Sequence, residues 1–375
     1  MKRCHCVIGA NYGDEGKGRV VDQLARETGS PLVCRFSSGP QAGHTVVTSD
    51  GRRHVFSHVG SGAFMDCMTY LAADFLVNPL LLEREMKKLK EIGVSPKVVI
   101  HPLCQMTTVY DVAINAIIES RREVRHGSCL MGINETMQRA KTHPLYVKDV
   151  LGCDLSNKLR SIFSDYIPVR LKQLEIGCLT VQEQIESYCL SNVKQDFDRH
   201  AQLISDWLTN ATIREIDDLP DNTIFEGSQG LGLDMDMGTF PHVTHARVGY
   251  SGISQELLNQ FDQRQVTYVT RAYLTRHGNG PMETSGTVQY EDDTNVTNRG
   301  QGSMRFAPLS AEAMLGRILF DSARSKIEPT KMSVHIGHVD QQPDISKIIS
   351  AISSWVSPCE GITLSAGKYG SFIKI

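Results

Sequence analysis

The chain has 375 residues, of which 41% are hydrophobic and 22% are charged, and its formal net charge is −3. These values are typical of a globular protein with a large buried core, built as one large domain or two smaller ones. The small negative charge gives no electrostatic reason to expect binding to nucleic acid or to a membrane surface, and no apolar run is long enough to span a bilayer.

Cysteine usage indicates a reducing compartment. The ten cysteines include no Cys-x-x-Cys pair, and the closely spaced Cys4 and Cys6 fall in a predicted strand, where His5 between them points to the opposite face. We therefore expect neither a disulfide framework nor a metal site there. The apolar run after the N-terminus is too short for a signal peptide, so we expect a soluble, cytoplasmic protein.

The first twenty residues predict a phosphate cradle. Residues 5–9 form an apolar strand, residues 10–19 a glycine-rich turn, and a helix follows with Val20, Val21 and Leu24 on one face. Glycines and a helix N-terminus turn N–H groups toward an anion, and Lys17 adds a positive charge. The turn is not a Walker A loop, because Gly18 replaces the Ser or Thr, and Asp14 adds a carboxylate suited to holding a metal or accepting a proton. The alternative is a structural turn without a ligand.

A second glycine-rich loop, residues 37–45, follows a predicted strand at 31–36 and carries His44. The ends of strands are where α/β sheets bind ligands, and Gly39 and Gly43 allow close backbone approach. The alternative is a buried histidine with satisfied hydrogen bonds.

The chain then alternates between helices and strands. Helices are predicted at 78–93, with Asn78 as the N-cap, and at 109–122, and a strand at 97–100. This alternation predicts an α/β fold with a mainly parallel central sheet. Residues 127–136 form a further polar loop, and residues 150–210 a mostly helical insertion that covers the sheet without chemistry of its own.

Later strands again lead into glycine-containing loops. Residues 223–230 bring Gln229 to a turn, residues 238–244 supply spare hydroxyls, and a core strand at 266–275 enters the turn at 276–281. The polar run 291–305 has the composition of a mobile lid. A helix at 308–324, a strand at 331–336, a helix at 345–355 and a strand at 361–364 complete the prediction.

Five of these loops resemble the motifs of adenylosuccinate synthetases, in the family's order. Residues 13–18 (GDEGKG) resemble the family's first signature, and 39–45 (GPQAGHT) its GHNAGHT loop. Residues 226–230 (EGSQG) are similar to EGAQG, 239–244 (TFPHVT) to TYPYVT, and 276–281 (RHGNGP) to RVGAGP. The resemblance implies a single P-loop-like α/β domain over residues 1–375, with the helical insertion near 150–210, that works as a homodimer.

The resemblance also implies catalytic roles. Asp14 would take the proton from N1 of a 6-oxopurine, and His44 would stabilise the oxygen that leaves as the γ-phosphate moves to O6. Lys17 would neutralise phosphate charge, and Gln229 would hold the six-position of the purine. Mg²⁺ would be the cofactor, held by Asp14 and the carbonyl of Gly43.

Three sets of binding residues follow from the same resemblance. The phosphate donor would contact Gly13, Glu15, Gly16, Lys17, Gly18, Gly43, His44, Thr45, Ser333 and Gly367. The purine monophosphate would contact Asp14, Gln41, Ser128, Cys129, Arg139, Gln229 and Thr244, with the choice between Ser128 and Cys129 for the 5′-phosphate left open and Arg139 as the arginine that reaches the partner's site. L-Aspartate would contact Thr297, Asn298, Arg299, Gly300, Gln301 and Arg305.

Three departures from the family pattern point to its bacteriophage branch, which makes N6-succino-2-amino-2′-deoxyadenylate. Gln41 replaces an asparagine, the arginine-rich TTGRRRR loop is absent, and Ser333 stands where a KxD motif would place the aspartate that binds guanine. A hydroxyl cannot replace that bidentate acceptor, so a preference for GTP would be lost. Asp14 is the feature that this branch often lacks.

The sequence thus predicts a carbon–nitrogen ligase that condenses L-aspartate with dGMP at the expense of ATP or dATP. The alternatives are an ordinary adenylosuccinate synthetase, which would use IMP and GTP, and a non-catalytic nucleotide-binding relative.

Overall fold

The computed structural model describes residues 1–123, 128–177, 196–284, 290, 302–342, 345–354, 359–367 and 371–375. Within these ranges the strands are β1 (Arg3–Gly9), β2 (Leu32–Arg35), β3 (His44–Val47), β4 (Arg53–Phe56), β5 (Met68–Leu71), β6 (Val98–Ile100), β7 (Thr212–Ile213), β8 (Thr223–Gly230), β9 (Gln263–Arg271), β10 (Tyr273–Arg276), β11 (Arg305–Pro308), β12 (Lys331–Gly337), β13 (Cys359–Leu364) and β14 (Ile373–Lys374).

The α-helices of the same ranges are α1 (Lys17–Thr28), α2 (Pro79–Glu91), α3 (Val109–Arg121), α4 (Ile133–Ala140), α5 (Leu155–Ser161), α6 (Ile167–Gln173), α7 (Phe197–Leu208), α8 (Gln255–Leu258), α9 (Ala311–Arg324) and α10 (Ser346–Ser353). A π-helical turn, Ile162–Tyr166, joins α5 to α6. None of the described helices combines the length and the apolar character that a membrane crossing requires.

One large sheet organises the molecule. Its described strands run in the order β14-β13-β12-β9-β1-β8-β2-β5-β6-β7, and every pairing is parallel except that of β14 with β13. The α/β fold with a mainly parallel sheet is therefore confirmed. Because parallel strands place their carboxyl ends at one edge, the loops after β1, β2, β8 and β9 meet there.

Burial explains why these segments are strands. In β1 the residues from Cys4 to Gly9 are buried, as expected for a strand at the centre of a sheet covered on both faces. Two large apolar clusters flank the sheet, one containing α2, α3 and the helices of the insertion, the other containing β9, β12 and α9. The central strands are thus packed within an apolar core beneath the loops.

Local signals in the sequence set most element boundaries. Asn78 caps α2, its side chain accepting a hydrogen bond from the Leu81 N–H at 3.2 Å, and Pro79 occupies the first turn. One expectation is corrected: the single core strand at 266–275 is two strands, because β9 belongs to the large sheet while β10 pairs with β11 in a separate ribbon.

Candidate active site

The loop after β1 is held in a tight turn by its own acidic residue. Gly13 and Gly16 have φ of 92° and 93°, and Asp14 has φ of 59°. The Glu15 carboxylate accepts hydrogen bonds from the Asn11 N–H at 2.7 Å and the Gly13 N–H at 3.2 Å, and it pairs with Lys17 at 3.0 Å. Glu15 and Lys17 are both buried, so the lysine is positioned by a paired carboxylate.

Asp14 lies at the edge of this loop. Its backbone carbonyl accepts from Arg271 Nε at 2.7 Å, which ties the loop to the end of β9. Its carboxylate, 23% exposed, lies 3.5 Å from Nε2 of His277. His277 was not among the predicted site residues, although it belongs to the RHGNGP motif, where the family pattern has valine.

His44 forms a buried pair with Glu226. His44 Nδ1 lies 2.5 Å from Glu226 Oε1, and Nε2 lies 3.3 Å from the carbonyl oxygen of Ser228. Burial lowers the pKa of His44, although the charge and hydrogen bond of Glu226 oppose that shift. Burial alone would raise the pKa of Glu226, but His44 and Arg35 lower it to about 2, so this carboxylate is ionised at neutral pH.

Glu226 is a site residue that the sequence analysis missed. It also accepts hydrogen bonds from the backbone N–H and the hydroxyl of Ser61, and it is completely buried. The sequence does contain a signal for Glu226. A carboxylate directly before a glycine turn is poorly suited to an apolar core, so its presence there indicates a polar site.

One cavity of about 710 Å³ collects most of the predicted side chains at the carboxyl edge of the sheet. Its walls include these predicted residues: Gly13, Asp14, Glu15, Gly16, Lys17, Gly18, Gln41, Gly43, His44, Thr45, Ser128, Cys129, Gln229, Thr244 and Gly367. A methyl group on Gly13 would stand 4.0 Å from Oε1 of Gln229, which places that amide beside the first loop. The loop after β1 with Asp14, the His44 side chain and the Gln229 amide therefore belong to one cavity.

Arg139 does not reach this cavity. It is completely buried and donates from Nε and Nη2 to Asp111 at 3.0 to 3.2 Å, and to the carbonyl oxygens of Met106 and His143. The expectation that it binds nucleotide or reaches a partner's site is corrected, because its guanidinium is committed to the junction of α3 and α4.

The expectation that Ser333 contacts the phosphate donor is also corrected. Ser333 is the third residue of β12, and its hydroxyl lies 3.1 Å from that of Thr267 on the neighbouring strand, away from the cavity. Beyond the end of β12, Asp340 accepts a hydrogen bond from the Gly367 N–H at 2.6 Å. A carboxylate therefore does stand at this edge, and Ser333 carries no argument about the donor base.

The aspartate-binding prediction falls mostly outside the described residues. Thr297, Asn298, Arg299, Gly300 and Gln301 lie there, as does most of the expected lid. Arg305 lies in β11 and donates to the carbonyl of Gly280, a lining residue of the cavity, at 2.5 Å.

The helical insertion does contribute to the cavity, contrary to expectation. Arg170 and Leu174, in and just after α6, line it together with Asn115 and Arg122 of the α3 region. No periodic pattern of residues predicts this contribution, because only the chain's path over the sheet edge brings α6 to the site.

The residues present suit a magnesium ion. Among the described residues no cluster of three His, Cys, Asp or Glu side chains could hold a metal by itself. Asp14 and Gly43 both line the cavity, and Mg²⁺ commonly uses one or two protein oxygens, keeping waters and substrate phosphates as its other ligands. These two residues therefore suit an Mg²⁺ ion that arrives bound to the phosphates of a nucleotide.

Comparison with known proteins agrees with this geometry. A model of the adenylosuccinate synthetase family matches residues 6–304. Adenylosuccinate synthetases of Psychrobacter cryohalolentis and Neisseria meningitidis serogroup A are 31% identical over 293 residues and 30% identical over 295 residues. In both, the match covers 74% of this chain and 64% of the relative, so the chain spans less than two thirds of these proteins' length.

Two solved structures share the fold. A fully ligated adenylosuccinate synthetase from Plasmodium falciparum has a TM-score of 0.62 at 18% identity, covering 98% of this chain and 82% of that chain. Succinoaminodeoxyadenylate synthetase of cyanophage S-2L, bound to dGMP and to dATP as energy donor, has a TM-score of 0.63 at 15% identity, covering 98% and 93%. On the family match and the assembled site, this chain belongs to the adenylosuccinate synthetase family.

Proposed function

We propose that this protein is a ligase that joins L-aspartate to C6 of a purine nucleoside monophosphate, driven by cleavage of a nucleoside triphosphate. The observation that carries the proposal is the cavity itself. It holds Asp14, Lys17, His44 and Gln229 together, and a nucleotide-binding protein without chemistry needs no carboxylate such as Asp14 beside its phosphate cradle.

In the first step, O6 of the purine attacks the γ-phosphorus while the bond to the β,γ-bridging oxygen breaks. Asp14 takes the proton from N1, which concentrates negative charge on O6. His44 exchanges the 3.3 Å contact of its Nε2 with the Ser228 carbonyl for a hydrogen bond to the departing bridge oxygen, and Glu226 fixes the orientation of its ring. Lys17 and the N-terminal N–H groups of α1 hold the phosphates.

In the second step, the amine of L-aspartate attacks C6 and inorganic phosphate leaves with the former O6. The proton that the amine loses leaves with the inorganic phosphate, and the product is the N6-succino derivative. Gln229 reaches the six-position with a donor and an acceptor, so it can follow the change from oxygen to nitrogen. A bound Mg²⁺ would supply charge neutralisation between the phosphates.

We propose dGMP as the purine and ATP or dATP as the donor. The rebuilt loop at 295–305 and Gln41 support the choice of dGMP as departures from ordinary members of the family. Gln41 lines the cavity, and its buried amide has no hydrogen-bond partner on either atom within the described residues. It can therefore accept from an amino group of a ligand, and dGMP carries one more amino group than IMP.

A second candidate is adenylosuccinate synthesis from IMP and GTP. Asp340 favours it, because a carboxylate beside Gly367 at the cavity edge is a suitable acceptor for N1–H and the amino group of guanine. The curated relatives carry the name of that activity.

Steady-state kinetics decide between these reactions. Purified protein with L-aspartate and Mg²⁺ should turn over dGMP with ATP or dATP at a higher kcat/KM than IMP with GTP. The reverse order would establish the second candidate. A wild-type protein that binds nucleotide and forms no succino product with any pair would show a non-catalytic relative, and light scattering of the same sample would test the expected homodimer.

A further inference from the structure

The part of the cavity formed by helices carries an arginine that no motif indicates. Arg170 of α6 donates from Nε and Nη2 to the two oxygens of Glu135, both at 2.8 Å. Glu135 is 1% exposed and the Arg170 side chain 18% exposed. This bidentate arrangement fixes the guanidinium plane at the cavity wall.

One edge of that guanidinium remains available. Nη1 of Arg170 makes no hydrogen bond within the described residues, and Arg170 lines the cavity. The carboxylate of Glu135 raises the pKa of Arg170, so its charge is permanent. An arginine that a carboxylate holds on one edge presents fixed donors on the other, an arrangement suited to the oxygens of a phosphate group.

The surrounding wall suits the same ligand. α4 begins at Ile133 after Gly132, which has φ of 73°, and no side chain caps its first N–H groups. The Ser128 hydroxyl lies 3.2 Å from both amide atoms of Asn115, which orient it. The Glu119 carboxylate accepts a hydrogen bond from the Ser128 N–H at 3.5 Å and another from Arg122 at 2.6 Å. Ser128, the first turn of α4 and Arg170 thus line the same cavity, and a helix N-terminus favours an anion.

This wall is separate from the cradle after β1. It is built by α3, α4 and α6, whereas the cradle is built by the β1–α1 loop and already holds its own lysine. A reaction between two nucleotides needs two phosphate-binding regions in the cavity, and the helical wall supplies the second.

We propose that Arg170 is a binding residue for the 5′-phosphate of the purine nucleoside monophosphate, held in place by the positioning residue Glu135. The inference rests on the proposed function, but it applies to dGMP and IMP alike because it concerns the phosphate monoester. The insertion thereby becomes part of the substrate site.

The test compares Arg170→Gln with Lys172→Gln, which removes a positive charge from an exposed position on the same helix. Dissociation constants are measured for dGMP, for deoxyguanosine by competition, and for ATP. Loss of one charged hydrogen bond should weaken dGMP binding by about ten- to a hundredfold in Arg170→Gln. Binding of deoxyguanosine and ATP should stay unchanged, Arg170→Lys should recover part of the loss, and Lys172→Gln should bind dGMP like the wild type.

Equal weakening of dGMP and deoxyguanosine would overturn the inference in favour of a purely structural role, and weakening of ATP alone would assign Arg170 to the donor. Unchanged dGMP affinity in Arg170→Gln would overturn it while leaving the proposed function intact. Failure of the wild-type protein to bind any purine monophosphate would instead overturn the proposed function, and this inference with it.

Discussion

At the scale of single residues, the pair of His44 and Glu226 shows how burial controls chemistry. The histidine ring has an acceptor on each side, Glu226 on Nδ1 and the Ser228 carbonyl on Nε2. Both contacts favour the protonated ring, whereas burial favours the neutral one. Burial prevails, so the pKa of His44 lies below its ordinary value, and Glu226 limits that shift.

Replacing Glu226 with glutamine tests this balance. Without the carboxylate charge, the pKa of His44 should fall further, because the contribution that opposes burial is lost. We expect kcat at neutral pH to drop by about a hundredfold, with nucleotide binding retained and part of the rate recovered as the pH is lowered. The pH profile of kcat measures this. A profile parallel to that of the wild type would contradict a role of Glu226 in tuning His44.

Gly9 supports the phosphate cradle because it has no side chain. A methyl group there would stand 2.2 Å from Glu15 Oε2 and 2.9 Å from Lys17 Nζ. Gly9→Ala should therefore displace the buried pair and raise the KM for the phosphate donor, at a stability cost of roughly 1 to 3 kcal/mol.

Enzyme kinetics and urea unfolding of Gly9→Ala measure both effects. Gly152→Ala is the control, since a methyl group there has its nearest neighbour at 3.9 Å. An unchanged KM for the donor in Gly9→Ala would show that the cradle does not need the pairing of Glu15 with Lys17.

At the scale of elements, Arg139 connects two helices. Asp111 lies in the first turn of α3, where its carboxylate also accepts from the Thr108 N–H at 2.8 Å, and Arg139 lies in the last turn of α4. The ion pair is completely buried, so removing one partner leaves a charge without compensation. The contact holds α4, whose first turn forms the cavity wall, in a fixed position.

Arg139→Ala should lower the free energy of unfolding by about 3 to 5 kcal/mol. The double variant Asp111→Asn with Arg139→Met should lose much less, because the amide still caps α3 and no buried charge is left unpaired. Urea unfolding measures both. A loss of substrate affinity in Arg139→Ala without a loss of stability would contradict the structural role and restore the nucleotide-binding one.

At the scale of the whole molecule, the parallel sheet explains how much the sequence could predict. Strand-to-glycine transitions identified the loops after β1, β2 and β8, and a parallel sheet brings such loops together whatever the details of packing. The sequence at 331–333 does not indicate that Ser333 lies inside strand β12. The residues around Arg139 do not indicate that its side chain is buried. Arg170 was not predicted because its position depends on how the helical insertion crosses the sheet edge, which is set by long-range contacts of the chain.

Whole-molecule stability should also depend on pH through two buried histidines. Burial lowers the pKa of His200 to about 4 and that of His335 to about 3. Above pH 6.5 both rings are neutral in the folded and the unfolded chain, so they contribute no pH dependence. Below pH 6.5 the unfolded chain binds protons first, and stability falls as the pH falls toward 4.

His200 offers the cleaner test of this pH dependence. It packs edge-on against Tyr110, with ring centroids 5.8 Å apart, beside a cavity of about 290 Å³ that leaves space for a larger ring. In His200→Phe the loss of stability between pH 6.5 and 4.5 should be shallower than in the wild type, by up to about 1.4 kcal/mol per pH unit. Urea unfolding at four pH values from 7.5 to 4.5 measures the slopes. Equal slopes for the two proteins would mean that His200 takes up its proton as readily in the folded chain as in the unfolded one, and its burial would then have no effect on acid stability.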